Sequence, residues 1–294
     1  TAALYTYTPH VYYGNYNFWK LYNDYFEGGS QDYLVKDYQK YPDGSLLRKK
    51  GEGGIYLIQN GEKRPFLTKS AFMSRYSLNR VLDVASDDLE KYEVGKPIKF
   101  SNYSLLRSPE KIVYLLVNDI TREIKSTEVF KKIGFNPEEI IDVESAELSE
   151  FSKGKLITEN DIYPTGALLQ NRKTGGVFFV IDNEKYPIWS KKIMEVNYPN
   201  KKIISVSEEE LESYPTNGPL KLRDGELIVS LVSPTVYIIS NGFKRPIASG
   251  EIFEELGYKW KDIIQVSERV LEIHPIGKEI DFIKNKDEVV LAIK

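Results

Sequence analysis

Gly54–Phe66 reads GIYLIQNGEKRPF, and the same line returns as IVYLLVNDITREI at Ile112–Ile124, GVFFVIDNEKYPI at Gly176–Ile188 and TVYIISNGFKRPI at Thr235–Ile247. The aromatic anchors Tyr56, Tyr114, Phe178 and Tyr237 are 58, 64 and 59 residues apart. A fixed period of this length marks one supersecondary unit stacked on copies of itself. Each line is two apolar strands around a tight turn. Asn60-Gly61 and Asn241-Gly242 suit a type I′ hairpin, in which both central residues take positive φ. Pro65, Pro187 and Pro246 close the return strand; lacking an N–H, proline is most comfortable at a sheet edge.

Outward from the hairpin, each copy adds the same parts. A short apolar strand precedes it, at Leu46-Leu47, Leu105-Leu106, Leu168-Leu169 and Leu227-Ile228. Twelve residues past each anchor stands a hydroxyl, Thr68, Ser126, Ser190 or Ser249, placed to accept from the first amides of a helix. Glu128 and Glu251 follow in the first turn, where a carboxylate favours the helix dipole. Sixteen past the anchor, Phe72, Phe130, Met194 and Phe253 are set to plug that helix onto its own hairpin, and Gly134 and Gly257 to end it. A last strand starts at Val81, Ile140, Ile203 and Ile263, and Leu89, Leu148, Leu211 and Leu271 follow on a short turn. The expected fold is mainly β with short helices, four β-β-β-helix-β repeats at about 41–99, 100–160, 161–221 and 222–280 within an array spanning 31–294. Units of this size carry little core alone, so neighbours must cover one another's apolar faces. The run Val289–Ile293, within 287–294, stands where a fifth first strand belongs. It completes a propeller-like ring, the favoured arrangement, or caps an open solenoid.

Residues 1–30 follow other rules. LYTYTPHVYYGNYNFWKLYNDYF (Leu4–Phe26) carries ten aromatics, and Phe18, Leu21, Tyr22, Tyr25 and Phe26 fall at helical spacing. This reads as an aromatic face docked on a core, the tail of an upstream domain or a docking arm. Tyr13, Tyr16 and Trp19 are its candidates for stacking on sugar rings. The chain starts at Thr1 without methionine and is read as a piece of something longer.

Composition narrows the function. Lys and Arg number 40 against 43 acids, a net charge of −3, with no basic run to draw nucleic acid or anionic lipid. No apolar stretch reaches eighteen residues, so no membrane insertion is expected. The absence of cysteine excludes disulfides, thiolate sites and cysteine nucleophiles. Histidine occurs only at His10 and His274, the latter where sister copies have Tyr92, Phe151 and Tyr214, so a metal site is not expected and none of the common nucleotide or hydrolase motifs is present. No catalytic residue and no cofactor is assigned. Arg64, Arg122 and Arg245 recur at one position of the return strand. Either they pair with acids of a neighbouring unit and hold register, or they form a periodic footprint for a polyanion or glycan.

The repeats resemble a tandem module of the form VYLIENGKKRPI found in exported bacterial cell-surface and cell-wall proteins. The resemblance is strongest over Asp224–Gly277, with DGELIVSL, TVYIISNGFKRPI, SGEIFEELGYKW and IIQVS. Leu4–Phe26 is similar to the closing segment of cell-wall-hydrolase-like domains that precede such arrays. The second copy departs most, with Asn118-Asp119 at the turn and no proline after Arg122. The resemblance implies an extracellular, non-catalytic module that binds cell-wall polysaccharide or peptidoglycan, or scaffolds neighbouring surface-protein subunits. Two other readings stay open, a self-assembling surface-layer or filament subunit and part of a cell-wall glycan hydrolase.

Overall fold

The structure, a computed structural model, describes residues 40–281. The aromatic segment 1–30, with Tyr13, Tyr16 and Trp19, and the closing strand 287–294 lie outside the described residues. Within them the chain is mainly β with short helices, arranged as four small sheets, one to each repeat.

In the first unit Leu46–Lys49, Ile55–Gln59 and Glu62–Pro65 form an antiparallel meander, and Val81–Val84 returns parallel to the first strand. The other three sheets repeat this order, with the last strand beside the first. The return crossover is the helix segment, because a parallel neighbour cannot be reached by a tight turn. All four hairpins turn on paired positive φ: Asn60 54° and Gly61 72°, Asn118 48° and Asp119 64°, Asp182 54° and Asn183 60°, Asn241 52° and Gly242 74°. Asparagine and aspartate thus hold the type I′ geometry where glycine is missing. Ahead of the first and last hairpins lies an Asp-Gly pair whose carboxylate fastens the turn. Asp43 accepts from the N–H groups of Asn60 and Gly61 at 2.8 and 3.1 Å, and Asp224 accepts from Gly242 at 2.9 Å.

The helices run Lys69–Met73, Thr127–Ile133, Lys191–Asn197 and Gly250–Glu255. Each is capped by the hydroxyl named from the sequence: Thr68, Ser126, Ser190 and Ser249 accept from Ala71, Val129, Lys192 and Ile252. Helices of five to seven residues do not stand alone. Replacing Ser126 by alanine orphans the Val129 N–H and is expected to cost about 1 kcal/mol, read as a lowered urea midpoint at unchanged slope.

Two features depart from the sequence reading. Leu89, Leu148, Leu211 and Leu271 lie in one-turn helices, Ser86–Glu90, Ser145–Ser149, Glu208–Glu212 and Glu268–Glu272, rather than in turns. The return strand of the first unit is also not a free edge. Glu93–Val94 pairs with it parallel at Glu62 and Lys63, before Pro65, and Ser152–Lys153 does the same to Ile120–Glu123 in the second unit. The proline only has to avoid donating at the strand's last position.

Successive side chains of each strand alternate between two sheet faces. In the first unit Leu46, Leu57, Phe72 and Val81 share one core on the side of the unit's own helix. Leu47, Ile58, Val84, Leu89 and Tyr92 belong to a different core, completed by Ile252, Phe253 and Leu256 from the helix region of the fourth unit. The third and fourth units meet alike, with Ile193 and Val196 of the third unit's helix packed on Ile228, Ile239 and Val266. At these two junctions a helix of one unit covers a sheet face of its neighbour, the third unit's on the fourth and the fourth's on the first.

Candidate functional site

The recurring arginines sit in these junctions. Arg64 Nε donates to the carbonyl of Lys96 at 2.9 Å, Arg122 Nε to Lys155 at 3.1 Å and Arg245 Nε to Lys278 at 2.8 Å. The residue before each carbonyl is a glycine over which the arginine stem lies. A Cβ on Gly95, Gly154 or Gly277 would come within 3.1, 3.0 and 2.9 Å of the arginine Cγ, so the arginine stem would have to shift. The third unit shows the converse: Tyr186 replaces the arginine, its hydroxyl donates to Glu184 at 3.0 Å, and the glycine's place is taken by Asn217, whose N–H donates to the Lys185 carbonyl and whose side-chain amide donates to Glu184 at 2.9 Å.

Beyond the glycine the guanidinium reaches the hairpin turn of the next unit. Arg64 meets Asp119 at 2.8 Å, and Arg75 meets the other oxygen of the same carboxylate at 2.9 Å. Arg122, only 3% exposed, pairs with buried Asp161 at 3.0 Å and with Asp182 of the third unit's turn at 2.6 Å, and donates to the Pro164 carbonyl at 3.3 Å. Burial draws Arg245 below the ordinary guanidinium pKa, while Asp43 in the first unit lies close enough to oppose this. Asn241 at the fourth turn also donates to Asp43, at 2.9 Å. Arg64 and Arg122 are therefore paired with acids of the next unit, while Arg245 is held by the Lys278 carbonyl with Asp43 of the first unit nearby.

Other positions do work that their sequence spacing did not suggest. Lys63, Lys185 and Lys244, one residue before the arginine position, donate to the carbonyls of Leu89, Leu211 and Leu271 at 2.9, 2.6 and 2.9 Å. A cation there closes the one-turn helix at its negative end. The recurrence of lysine ahead of Arg-Pro or Tyr-Pro was the available signal. Asp119 and Asp182 replace glycine or asparagine in the turn, and that departure is what supplies the arginines with partners.

His274 is completely buried and takes the part that Tyr92 plays in the first unit. The Tyr92 hydroxyl accepts from Tyr41 N–H at 2.6 Å and donates to its carbonyl at 2.9 Å. His274 Nε2 accepts from Leu222 N–H at 3.2 Å, so Nδ1, 3.0 Å from the Gly242 carbonyl, carries the proton and the ring is neutral. Burial lowers its pKa, the Gly242 carbonyl opposes this, and Lys221 and Lys244 lower it further. An unfolded histidine titrates at about pH 6.5. Between that value and the lower folded one, the unfolded chain binds more protons, so this contribution to stability is complete at neutral pH and declines on acidification. His274→Tyr is expected to flatten the fall of the urea midpoint between about pH 7 and 5, a slope of at most about 1.4 kcal/mol per pH unit from this group.

A cleft of about 340 Å³ opens where the first and fourth units meet, touching Val196 of the third. Its lining combines apolar Leu82, Leu227 and Ile238, the last two almost wholly buried, with Arg80, Arg223 and Glu226. The two arginines converge on one oxygen of Glu226, Arg80 Nη1 at 2.9 Å and Arg223 Nη2 at 3.4 Å. Both guanidinium groups also hold backbone: Arg80 donates to the Asp224 carbonyl at 3.3 Å, and Arg223 to Arg75 and Val196 at 3.2 and 2.7 Å. Burial pushes the Tyr258 phenol on the cleft wall up to about 12, so it stays protonated across the physiological range. Gly44 and Gly225, whose backbones touch, also line the cleft. Nothing in the sequence spacing pairs Arg80 with Arg223, which are separated by about half of the chain.

Among the described residues there is no cluster of three or more potential metal ligands, and no helix is long and apolar enough to cross a membrane. No protein-family model matches the chain. It is similar to Protein CgeD of Bacillus subtilis (strain 168), 23% identical over 197 residues that take in 64% of this chain and 44% of the relative. The chain thus spans less than half the length of the curated relative it matches. Two solved structures align with 84% of the chain. They are the periplasmic assembly from the ESX-5 inner membrane complex, at 10% identity over 94% of that chain with a TM-score of 0.19, and an intact ESX-5 inner membrane complex, at 11% over 81% with a TM-score of 0.18. At these scores they carry no argument about fold or function.

Proposed function

We propose that the chain is a non-catalytic repeat module that binds or scaffolds at a bacterial cell surface, its four units joined in a propeller-like ring. One observation carries this reading. The contact by which a helix covers the next unit's sheet joins the third unit to the fourth and the fourth to the first. Contact between the last unit and the first supports a ring over an open row, since closure would remove exposed ends and leave a rim of loops. Arg64 and Arg122 are engaged between units, and the repeated lysines and Asp-Gly turns within them, which supports a scaffold over a reaction centre. Similarity to a Bacillus subtilis protein supports a bacterial setting.

Co-sedimentation with purified cell-wall sacculi tests the reading. The folded chain is expected in the pellet at moderate salt, without release of soluble wall fragments. A chain that stays wholly in the supernatant removes the binding function, and release of fragments would favour the hydrolase alternative.

A further inference from the structure

The cleft between the first and fourth units has a charge imbalance inside it. Two guanidinium groups, Arg80 and Arg223, face a single carboxylate, Glu226, and meet the same oxygen of it. Lys259 and Asp262 on the rim offset each other in charge. Asp224 lends only its backbone carbonyl to Arg80, and its carboxylate is turned to the hairpin at Gly242. The walls therefore carry one positive charge in excess.

Hydrogen-bonding capacity is also left over on these walls. Arg223 Nε and Arg80 Nη1 are buried and have no hydrogen-bond partner among the described residues, and both side chains line the cleft. Arg80 Nη1 is close to Glu226 but its N–H does not point along that contact. The hydroxyls of Ser45 and Tyr258, also on the wall, are near enough to interact with each other. Buried donors without acceptors are costly, and a guanidinium edge offers them in a planar fork that matches a carboxylate. The mixed apolar and polar lining, at this volume, suits a ligand of about one sugar ring.

We infer that this cleft is a binding site for a small organic carboxylate, up to a single sugar acid in size, held by Arg80 and Arg223 with Glu226 as the competing internal anion. The ligand's carboxylate competes with Glu226 for the two guanidinium groups, and its apolar or ring face rests on Leu82, a partly exposed apolar side chain of the lining. The site needs both the first and the fourth unit, so it exists only where the two are in contact. It does not depend on where the chain resides, and its success or failure is separate from retention on sacculi.

The test uses the whole chain and follows arginine side-chain N–H signals by NMR during titration with acetate, glucuronate, the methyl ester of glucuronate, and inorganic phosphate. Saturable shifts of the Arg80 and Arg223 signals are expected with glucuronate, at least tenfold weaker with acetate, and absent with the ester. Arg80→Gln should weaken glucuronate binding at least tenfold. Glu226→Gln removes the internal competitor and should tighten binding several-fold, a gain that misfolding does not produce. Equal shifts with the ester, phosphate binding as tight as glucuronate, glucuronate affinity unchanged in both variants, or no saturable shift with glucuronate would each overturn the assignment.

Discussion

Replacing Arg122 with alanine should destabilise the protein by about 3–5 kcal/mol, the range for removing one partner of a buried ion pair. Its guanidinium is 3% exposed and serves two acids and two carbonyls from both sides of the second junction. Without it Asp161 remains buried, with one oxygen still accepting from the Thr158 N–H and hydroxyl at 2.9 Å each. Those two bonds keep the expected loss toward the lower end. At about 2–4 °C per kcal/mol for a domain of this size, the melting temperature should fall by roughly 10 °C. Arg122→Met combined with Asp161→Asn should recover part of the loss, because the buried charge at Asp161 is then gone and Asp182, 37% exposed, remains hydrated. If Arg122→Ala melted within about 1 °C of the parent, the junction would not depend on the buried pair.

The second large effect is expected at Gly225. Its φ is +82°, and a Cβ there would overlap the carbonyl oxygen of Gly44 and lie 2.7 Å from Arg80 Nη2. Gly44, at φ +93°, is equally closed, since its Cβ would lie 2.6 Å from the Asp224 carbonyl carbon. Backbone faces backbone, so no side chain can rotate away. Gly225→Ala should cost about 1–2 kcal/mol for the left-handed conformation alone. The overlap adds enough to reach the upper part of the range seen for single substitutions, about 3 kcal/mol. The strain falls on the seam between the first and fourth units. Amide hydrogen exchange should therefore rise selectively in Leu47, Ile58, Ile238 and Phe253, which share that core. Uniform exchange across all four units would show that the seam adds nothing local. Gly51→Ala is the control, because its φ is also positive at +86° but no atom lies within 4 Å of its Cβ position.

Much of each unit was legible because its determinants are local. Asn-Gly dictates a hairpin from φ preferences alone, and Thr68, Ser126, Ser190 and Ser249 sit at their caps because a hydroxyl satisfies amides only a few residues away. The repeat multiplied these signals by four. The second helix at Leu89 and its sisters escaped because one turn is too short to show a period, and its closing cation, Lys63, stands 26 residues before Leu89. His274 was legible as a substitute for an aromatic, but its neutral tautomer follows from Leu222 and Gly242, which only the fold brings to it.

The arginines mark the boundary between the two kinds of information. Their recurrence at one register is written in the chain, yet the same spacing is compatible with a solvent-facing row or a row of locks. Whether Arg122 meets a ligand or Asp182 depends on where the next unit lies, and that is set by a meeting of surfaces far apart in sequence. The sequence by itself determined the unit, its turns and its caps, through dihedral preferences and short-range hydrogen bonds. Only the tertiary structure decided the junctions, the pairing of Gly44 with Gly225, and the cleft beside them, because apolar burial has no direction along the chain and is resolved only when whole faces meet.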